Sequence, residues 1–526
     1  MDLTAFFFFF QHLWSISNMV LSRSASSSQT SRFEVHSLPN SPSLPTSWAG
    51  RLPVLGADPG NEIFFWLFQP EDPARDEDLI IWFNGGPGCS SLVGLTGGNG
   101  PFSFISNSTQ LERNPYSWTQ LGHVLYVDQP VGTGFSTASN PYPVRNNEQV
   151  TESFTKWLDG FWTYFPHLRS KKIHLMGESY AGIYIPYFAA GLLHNPSSPS
   201  LNIRSMSLGD GSWANAAALS SVAMGSYMHA HATMLKVPQD ILSTFAEADR
   251  ICSFDDVLEQ AQIYPPKGKI HIPGDPQYFN YRRLQSRDMT NVLDAACDIQ
   301  PTTPAQVRSS IFNSTCYGPC ATYSTATDYM AAISAAGTGP PCWDVYDIHH
   351  DCSTVNAMAL IAKYFSRSDV QEALHVRGRG NYTACNSTIL ETLLAAPSVV
   401  PPAYTLLPSL VTDYNISLHI YNGEWDMLLN HIGTELSIQN MTWRGVQGFS
   451  QKPQRLFYAD DPAPVSDSQR STSARANVAD HVAGYWASER GVSYHLFRGA
   501  GHSVFGNKPR EMFAYVRDIV VGAKAD

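Results

Sequence analysis

Ile173-His174-Leu175-Met176-Gly177-Glu178-Ser179-Tyr180-Ala181-Gly182 is the stretch on which the reading of this chain turns. Ile173 to Met176 read as a strand, and the residues from Ala181 onward are compatible with a helix. Gly177 and Ala181 stand two residues before and after Ser179, the G-x-S-x-G spacing of a tight strand-to-helix turn that exposes a serine hydroxyl. Alanine in place of the second glycine still lacks bulk, so the turn is permitted. The pattern alone recurs by chance in many chains, and a nucleophilic serine also needs an oxyanion site, a base and an acid.

Each requirement has a candidate. The strand-like run Leu79-Ile80-Ile81-Trp82-Phe83 ends directly in Asn84-Gly85-Gly86-Pro87-Gly88, the glycine-rich loop expected to supply one oxyanion donor. Tyr180, the residue after the serine, supplies the other. Losing such a donor costs about 2.7–4 kcal/mol in a transition state. The acid and then the base should follow in the chain. Asn422-Gly423-Glu424-Trp425-Asp426 follows the run Leu418 to Tyr421 and offers two carboxylates, between which spacing alone does not decide. Arg498-Gly499-Ala500-Gly501-His502 follows Ser493 to Phe497 and puts His502 on a small-residue loop at a strand end. His481 and His495 are its nearest rivals, and His495, inside the strand, reads as a packed residue.

Around these motifs strands alternate with helix. Ile63 to Phe68, Val124 to Val127 and Ile203 to Leu208 read as further strands, and Val150 to Tyr164 as a helix with Phe154, Trp157, Leu158 and Phe161 on one face. The alternation predicts an α/β fold with a mostly parallel, doubly wound sheet. With the serine turn and glycine loop, it is an α/β-hydrolase fold. Residues 47–209 and 345–526 are expected to form its core. The Cys- and Pro-rich stretch 210–344 breaks the alternation and is expected to be an insertion that caps the site. Residues 1–22 read as a signal segment, through the apolar run Phe6 to Ile16, and 23–46 as a Ser/Pro-rich disordered segment.

Composition narrows the function classes. The 526 residues are 43% apolar and carry a formal net charge of −11 without basic runs, which argues against a nucleic-acid partner. No later stretch is long and apolar enough for stable membrane insertion. The 8 Cys are dispersed, without zinc-like pairing, and suit disulfides in an oxidising compartment. Sequons at Asn107, Asn313, Asn381, Asn386, Asn415 and Asn440 add to a secretory reading, with secretion or a vacuole as the destination.

From about Trp48 onward the chain resembles the serine carboxypeptidases. Trp82 to Ser91, Asn114-Pro115-Tyr116-Ser117-Trp118, Tyr126 to Ser136, Gly177 to Gly182 and Gly499 to His502 are similar to motifs of that family. The resemblance implies a nucleophile Ser179, a base His502, Gly86 as the loop's oxyanion donor and, between the two acids, Asp426, with Glu424 a conservative change beside it. It implies that Asn84 and Glu178 grip the C-terminal carboxylate of a peptide or protein substrate, that Cys89 pairs with Cys385, that no metal or cofactor is needed, and that the enzyme works in acid. Oligomeric state and the remaining Cys pairings stay open.

Two departures from the family pattern stand out. Gly98 occupies the place of a second recognition glutamate, so restoring Glu there is expected to improve KM. Ser503-Val504-Phe505 replaces the residues usual after the histidine, which bears on the leaving-group pocket. The alternatives are a related acyltransferase or esterase, and a non-catalytic binding protein on the same fold.

Overall fold

The computed structural model describes residues 30–522 apart from 106–107, 196–200, 274–299, 313–317, 351–356, 377–381, 397–399 and 460–481. Its centre is a ten-stranded sheet. In chain order the strands are β1 (Ser47–Pro53), β2 (Glu62–Phe68), β3 (Asp78–Phe83), β4 (His123–Asp128), β5 (Lys172–Glu178), β6 (Ile203–Gly209), β7 (Ser417–Gly423), β8 (Arg455–Tyr458), β9 (Val482–Glu489) and β10 (Val492–Phe497). They lie in the order β1-β2-β4-β3-β5-β6-β7-β10-β9-β8. From β4 to β10 all neighbours are parallel, and an antiparallel pair closes each edge. The sheet is thus the mostly parallel one expected, in an α/β-hydrolase fold.

Strand periodicity sorts the core into two layers. Ile63, Phe65 and Leu67 of β2, with Leu79, Ile81 and Phe83 of β3, pack under helices α1 (Asn147–Tyr164) and α2 (Ala181–Leu193) through Phe154, Trp157, Phe161 and Phe188. Phe64, Trp66, Phe68, Ile80 and Trp82 point the other way, against Phe505, Met512 and Tyr515 of the C-terminal helices. Burial on both faces explains why β3 reads as a continuous apolar run, Leu79 to Phe83.

Between β6 and β7 the described residues contain no strand of the sheet. The first part of this excursion is helical, including Ser221–Ala230, Gln239–Ile251, Phe254–Ala261, Pro304–Phe312 and Thr322–Ala335. The sheet resumes only at Ser417, well after residue 345. Tyr364 and Phe365, inside this excursion, nevertheless pack into the core layer around Trp82.

Two expectations need correction. Residues 30–46 are ordered rather than disordered. Phe33, Val35 and Leu38 are buried, Phe33 packs edge-on against Phe65 and Tyr164, and Pro39 accepts a hydrogen bond from the Tyr364 hydroxyl. The apolar residues scattered among Ser and Pro give this segment enough to bury. Asn440 is not a glycan acceptor in this fold. It is 7% exposed, and its side-chain amide pairs with both backbone groups of Ile270. Residues 1–29, His481 and the sequons Asn107, Asn313 and Asn381 lie outside the described residues. Asn386 caps the helix Ser387–Leu394, and Asn415 is exposed.

Candidate active site

Ser179 sits where β5 gives way to α2, with φ of +62°. A positive φ in a residue other than glycine is a strained state that persists only where the surroundings enforce it. Here they do. A Cβ on Gly177 would meet the Phe83 carbonyl and lie 2.6 Å from the Ala181 methyl, and one on Gly182 would lie 2.7 Å from the Ser212 nitrogen. The Ser179 N–H donates to the Gly209 carbonyl, while its own carbonyl accepts from the N–H groups of Gly182 and Ser212.

The glycine loop after β3 packs onto this turn. A Cβ on Gly85 would run into the Tyr180 nitrogen and come within 2.9 Å of the Ser179 Cβ, so only glycine allows the approach. Gly86, next along, has φ of +108°. The loop is anchored by buried Asp128 at the end of β4. Its Oδ1 accepts from the Ser90 hydroxyl and the Ser91 N–H, and its Oδ2 from the Phe135 N–H. Burial pushes the Asp128 carboxyl up to about 6. A disulfide joins Cys89 to Cys385, and another joins Cys252 to Cys320.

Asp426, fully buried after β7, accepts at Oδ1 from the N–H groups of Leu428 and Leu429. Its Oδ2 lies 2.8 Å from His502 Nδ1. A carboxylate only accepts, so Nδ1 carries the hydrogen and Nε2 is left as the basic nitrogen. Burial works against charging His502, but the Asp426 carboxylate outweighs it and holds the imidazole above its ordinary pKa. The His502 N–H donates to the Tyr346 carbonyl, and the Tyr346 ring packs edge-on against the imidazole. Glu424, the rival acid, instead accepts from the Gly499 N–H and so holds the loop that carries the histidine. His495 is fully buried and stacks on Trp486.

Glu178 and Asn84 are also brought together. Asn84 Oδ1 accepts from the Trp82 indole N–H and the Gly94 N–H, which fixes the amide so that Nδ2 donates to Glu178 Oε1 at 2.8 Å. Ser503, which the sequence marks only as part of a departure after the histidine, places its hydroxyl 3.2 Å from Glu178 Oε2. This contact ties the His502 loop to the Ser179 turn. Burial pushes the Glu178 carboxyl up to about 7, moderated by His502 and the Ser503 hydrogen bond.

Gly98 has φ of +143°, and a Cβ there would fall on the Phe505 carbonyl oxygen. Phe505 fills the adjoining space, its ring edge-on to Trp82. The expectation that a glutamate could be restored at 98 therefore does not hold: the backbone leaves no room for any side chain. Among the described residues, Asp210, Asp426 and His502 offer three possible metal-ligand atoms within 4.8 Å of one another. Asp426 and His502 are already committed to each other and to backbone amides.

The sequence model described as serine carboxypeptidase matches residues 42–522. A carboxypeptidase Y homolog of Arthroderma benhamiae is 43% identical over 500 residues, covering 93% of this chain and 94% of that protein. The pheromone-processing carboxypeptidase kex1 of Neosartorya fischeri is 28% identical over 516 residues, 95% of this chain and 70% of its own. Among solved structures, Kex1(delta)p, a prohormone-processing carboxypeptidase from Saccharomyces cerevisiae, superposes with a TM-score of 0.67 at 22% identity, covering 94% of this chain and 96% of that one. That likeness speaks for the fold, and the match along nearly the whole sequence speaks for the lineage: this chain belongs to the serine carboxypeptidase family.

Proposed function

We propose that this enzyme releases amino acids one at a time from the C-termini of peptides and proteins, through an acyl-enzyme formed on Ser179. The Ser179 hydroxyl attacks the last peptide carbonyl. His502 Nε2 takes its proton and returns it to the departing amino acid, while Asp426 orients the imidazole and offsets its developing charge. The N–H groups of Gly86 and Tyr180 stabilise the oxyanion. Water then releases the shortened peptide by the same steps in reverse. The enforced positive φ at Ser179 and the 2.8 Å Asp426–His502 hydrogen bond support these roles.

One observation carries the exopeptidase reading: a buried Glu178, beside Ser179, bonded to Asn84 and Ser503, with its carboxyl pushed up to about 7. Below that pH the group is neutral and can donate to a substrate carboxylate, where an ionised glutamate would repel it. Carboxylate recognition is then an acid-side property. Turnover needs the neutral imidazole, so peptide hydrolysis has a limb on each side. The Cys89–Cys385 and Cys252–Cys320 disulfides and the exposed Asn415 sequon suit a protein of the secretory pathway, destined for secretion or a vacuole.

The reading is tested with an N-blocked dipeptide, its amide and its ester, with and without an alcohol as acyl acceptor. Release of the terminal amino acid from the free acid, with the amide a much poorer substrate, is expected. Transfer to the alcohol in preference to water would make the enzyme an acyltransferase, and turnover of the ester alone would make it an esterase.

A further inference from the structure

Next to the His502–Asp426 pair lies a third buried acid that the steps above leave unused. Asp210 closes β6, the strand that separates the one leading to Ser179 from the one leading to Asp426. It is fully buried and held at φ of +41°. Its N–H donates to the Tyr421 carbonyl at 2.8 Å, and its Oδ1 accepts from Asn422 Nδ2 and the Gly423 N–H, each at 3.0 Å. Its Oδ2 receives no such donor among the described residues. A side-chain ligand atom of Asp210 lies within 4.8 Å of those of Asp426 and His502.

Two carboxyl groups this close and sealed from water do not both ionise. Asp426 has two backbone N–H groups on one oxygen and the imidazole on the other, whereas Asp210 has donors on Oδ1 alone. The charge therefore belongs on Asp426, and the proton on Asp210 Oδ2.

We propose that Asp210 is a positioning residue of the reaction, protonated at Oδ2 and donating that hydrogen to the Asp426 carboxylate, so that Asp426 stays charged and aimed at His502. This rests on reading His502 as the base and Asp426 as its partner. No proton is passed along; Asp210 keeps its own throughout. Burial first, and then the Asp426 charge, push the Asp210 carboxyl well above the ordinary range. The other ionisable groups facing it are His502, Glu178 from β5, Tyr421 from β7, Tyr494 from β10 and Tyr227 from the helix Ser221–Ala230. Burial keeps the three tyrosines neutral, and His502 is the group among these able to bring positive charge.

The test is kcat/KM against pH for a blocked amino-acid ester. This substrate has no terminal carboxylate, so it leaves Glu178 out and its acid limb reads His502. Asp210→Asn keeps an acceptor and gains an N–H donor in place of the O–H. Its acid limb is expected to superimpose on wild type, with rates within about threefold. In Asp210→Ala the Asp426 charge loses its donor and holds the imidazolium more tightly. The acid limb then moves to higher pH, and kcat falls about 10- to 100-fold.

A limb that moves to lower pH in Asp210→Asn would mean a negative charge had been removed, and would overturn the proposal. So would an unmoved limb in Asp210→Ala, the result of a purely structural role. Should the alanine variant not fold, infrared spectra at about pH 8, with Glu178 ionised, decide. A protonated-carboxyl band present in wild type and lost in Asp210→Asn is expected, and no such band in wild type overturns the proposal. Asp426→Asn separates the two readings. Full activity there would sink the base–acid pair itself, whereas a crippled Asp426→Asn leaves the Asp210 variants to decide.

Discussion

The hydroxyl of Ser503, one residue past His502, lies 3.2 Å from Oε2 of Glu178, one residue before Ser179. It is a hydrogen-bond donor to Glu178 from the loop that carries His502. Ser503→Ala is expected to raise KM for a blocked dipeptide about 3- to 10-fold with little change in kcat, the worth of one hydrogen bond. Because this bond lowers the Glu178 pKa, its loss should also carry the alkaline rise in KM to higher pH. Steady-state kinetics over a pH series checks both.

Glu178 titrates at about 7, and under the proposed function its neutral form is the one that receives a carboxylate. In wild type, KM for the dipeptide is expected to climb above that pH by up to about tenfold per unit, since only the protonated fraction binds. Glu178→Gln stays neutral, so its KM should be flat across the same range. An ester without a free carboxylate should show the rise in neither protein.

Gly98→Glu places a side chain at φ of +143° and against the Phe505 carbonyl. The variant is expected to lose about 1–3 kcal/mol of stability, with no gain in KM. Thermal unfolding beside dipeptide kinetics distinguishes this from a restored recognition site, which would lower KM at unchanged Tm.

Asp249, buried in the helix Gln239–Ile251, has its pKa raised to about 7, by burial and then by Asp255. A carboxyl raised in the folded state holds its proton there after the unfolded chain has released it. Its contribution is complete below the ordinary value of 3.8 and is lost as pH rises to about 7. Asp249→Asn removes that loss. Denaturant midpoints should favour the variant increasingly between about pH 4 and 7, reaching a few kcal/mol. A wild type that gains on the variant with rising pH would contradict this.

The central strands were legible because burial on both faces makes them apolar runs, and each ends in a turn whose glycines and acids carry chemistry. β1, β8 and β9 were missed. They lie at or next to an edge of the sheet, and Arg455-Leu456-Phe457-Tyr458, exposed at three of its four positions, has no pattern to find. The segment 30–46 was misread because Ser and Pro outnumber the few residues, Phe33 and Leu38 among them, that anchor it. The elbow and the glycine loop sit where local motifs place them, and the Asp426–His502 hydrogen bond joins the histidine to the acid that the family resemblance, not the spacing, selects. Ser503 reads from sequence only as bearing on the leaving-group pocket, and Asp210 does not announce itself, since a Gly209-Asp210-Gly211 turn is common and only the crossing of loops distant in sequence gives either residue its partners. A signal for Asp210 existed all the same: an acid at the end of a buried strand, as at Asp128.

The central claim, a nucleophilic Ser179 driven by His502, is tested most directly by a fluorophosphonate and mass spectrometry of the digested protein. One adduct per molecule is expected, on the peptide that contains Ser179, formed in step with loss of dipeptide hydrolysis. It should be absent from Ser179→Ala and strongly slowed in His502→Ala. An adduct on another residue that tracks the lost activity, or a Ser179→Ala variant that still hydrolyses the dipeptide at the wild-type rate, would contradict the account.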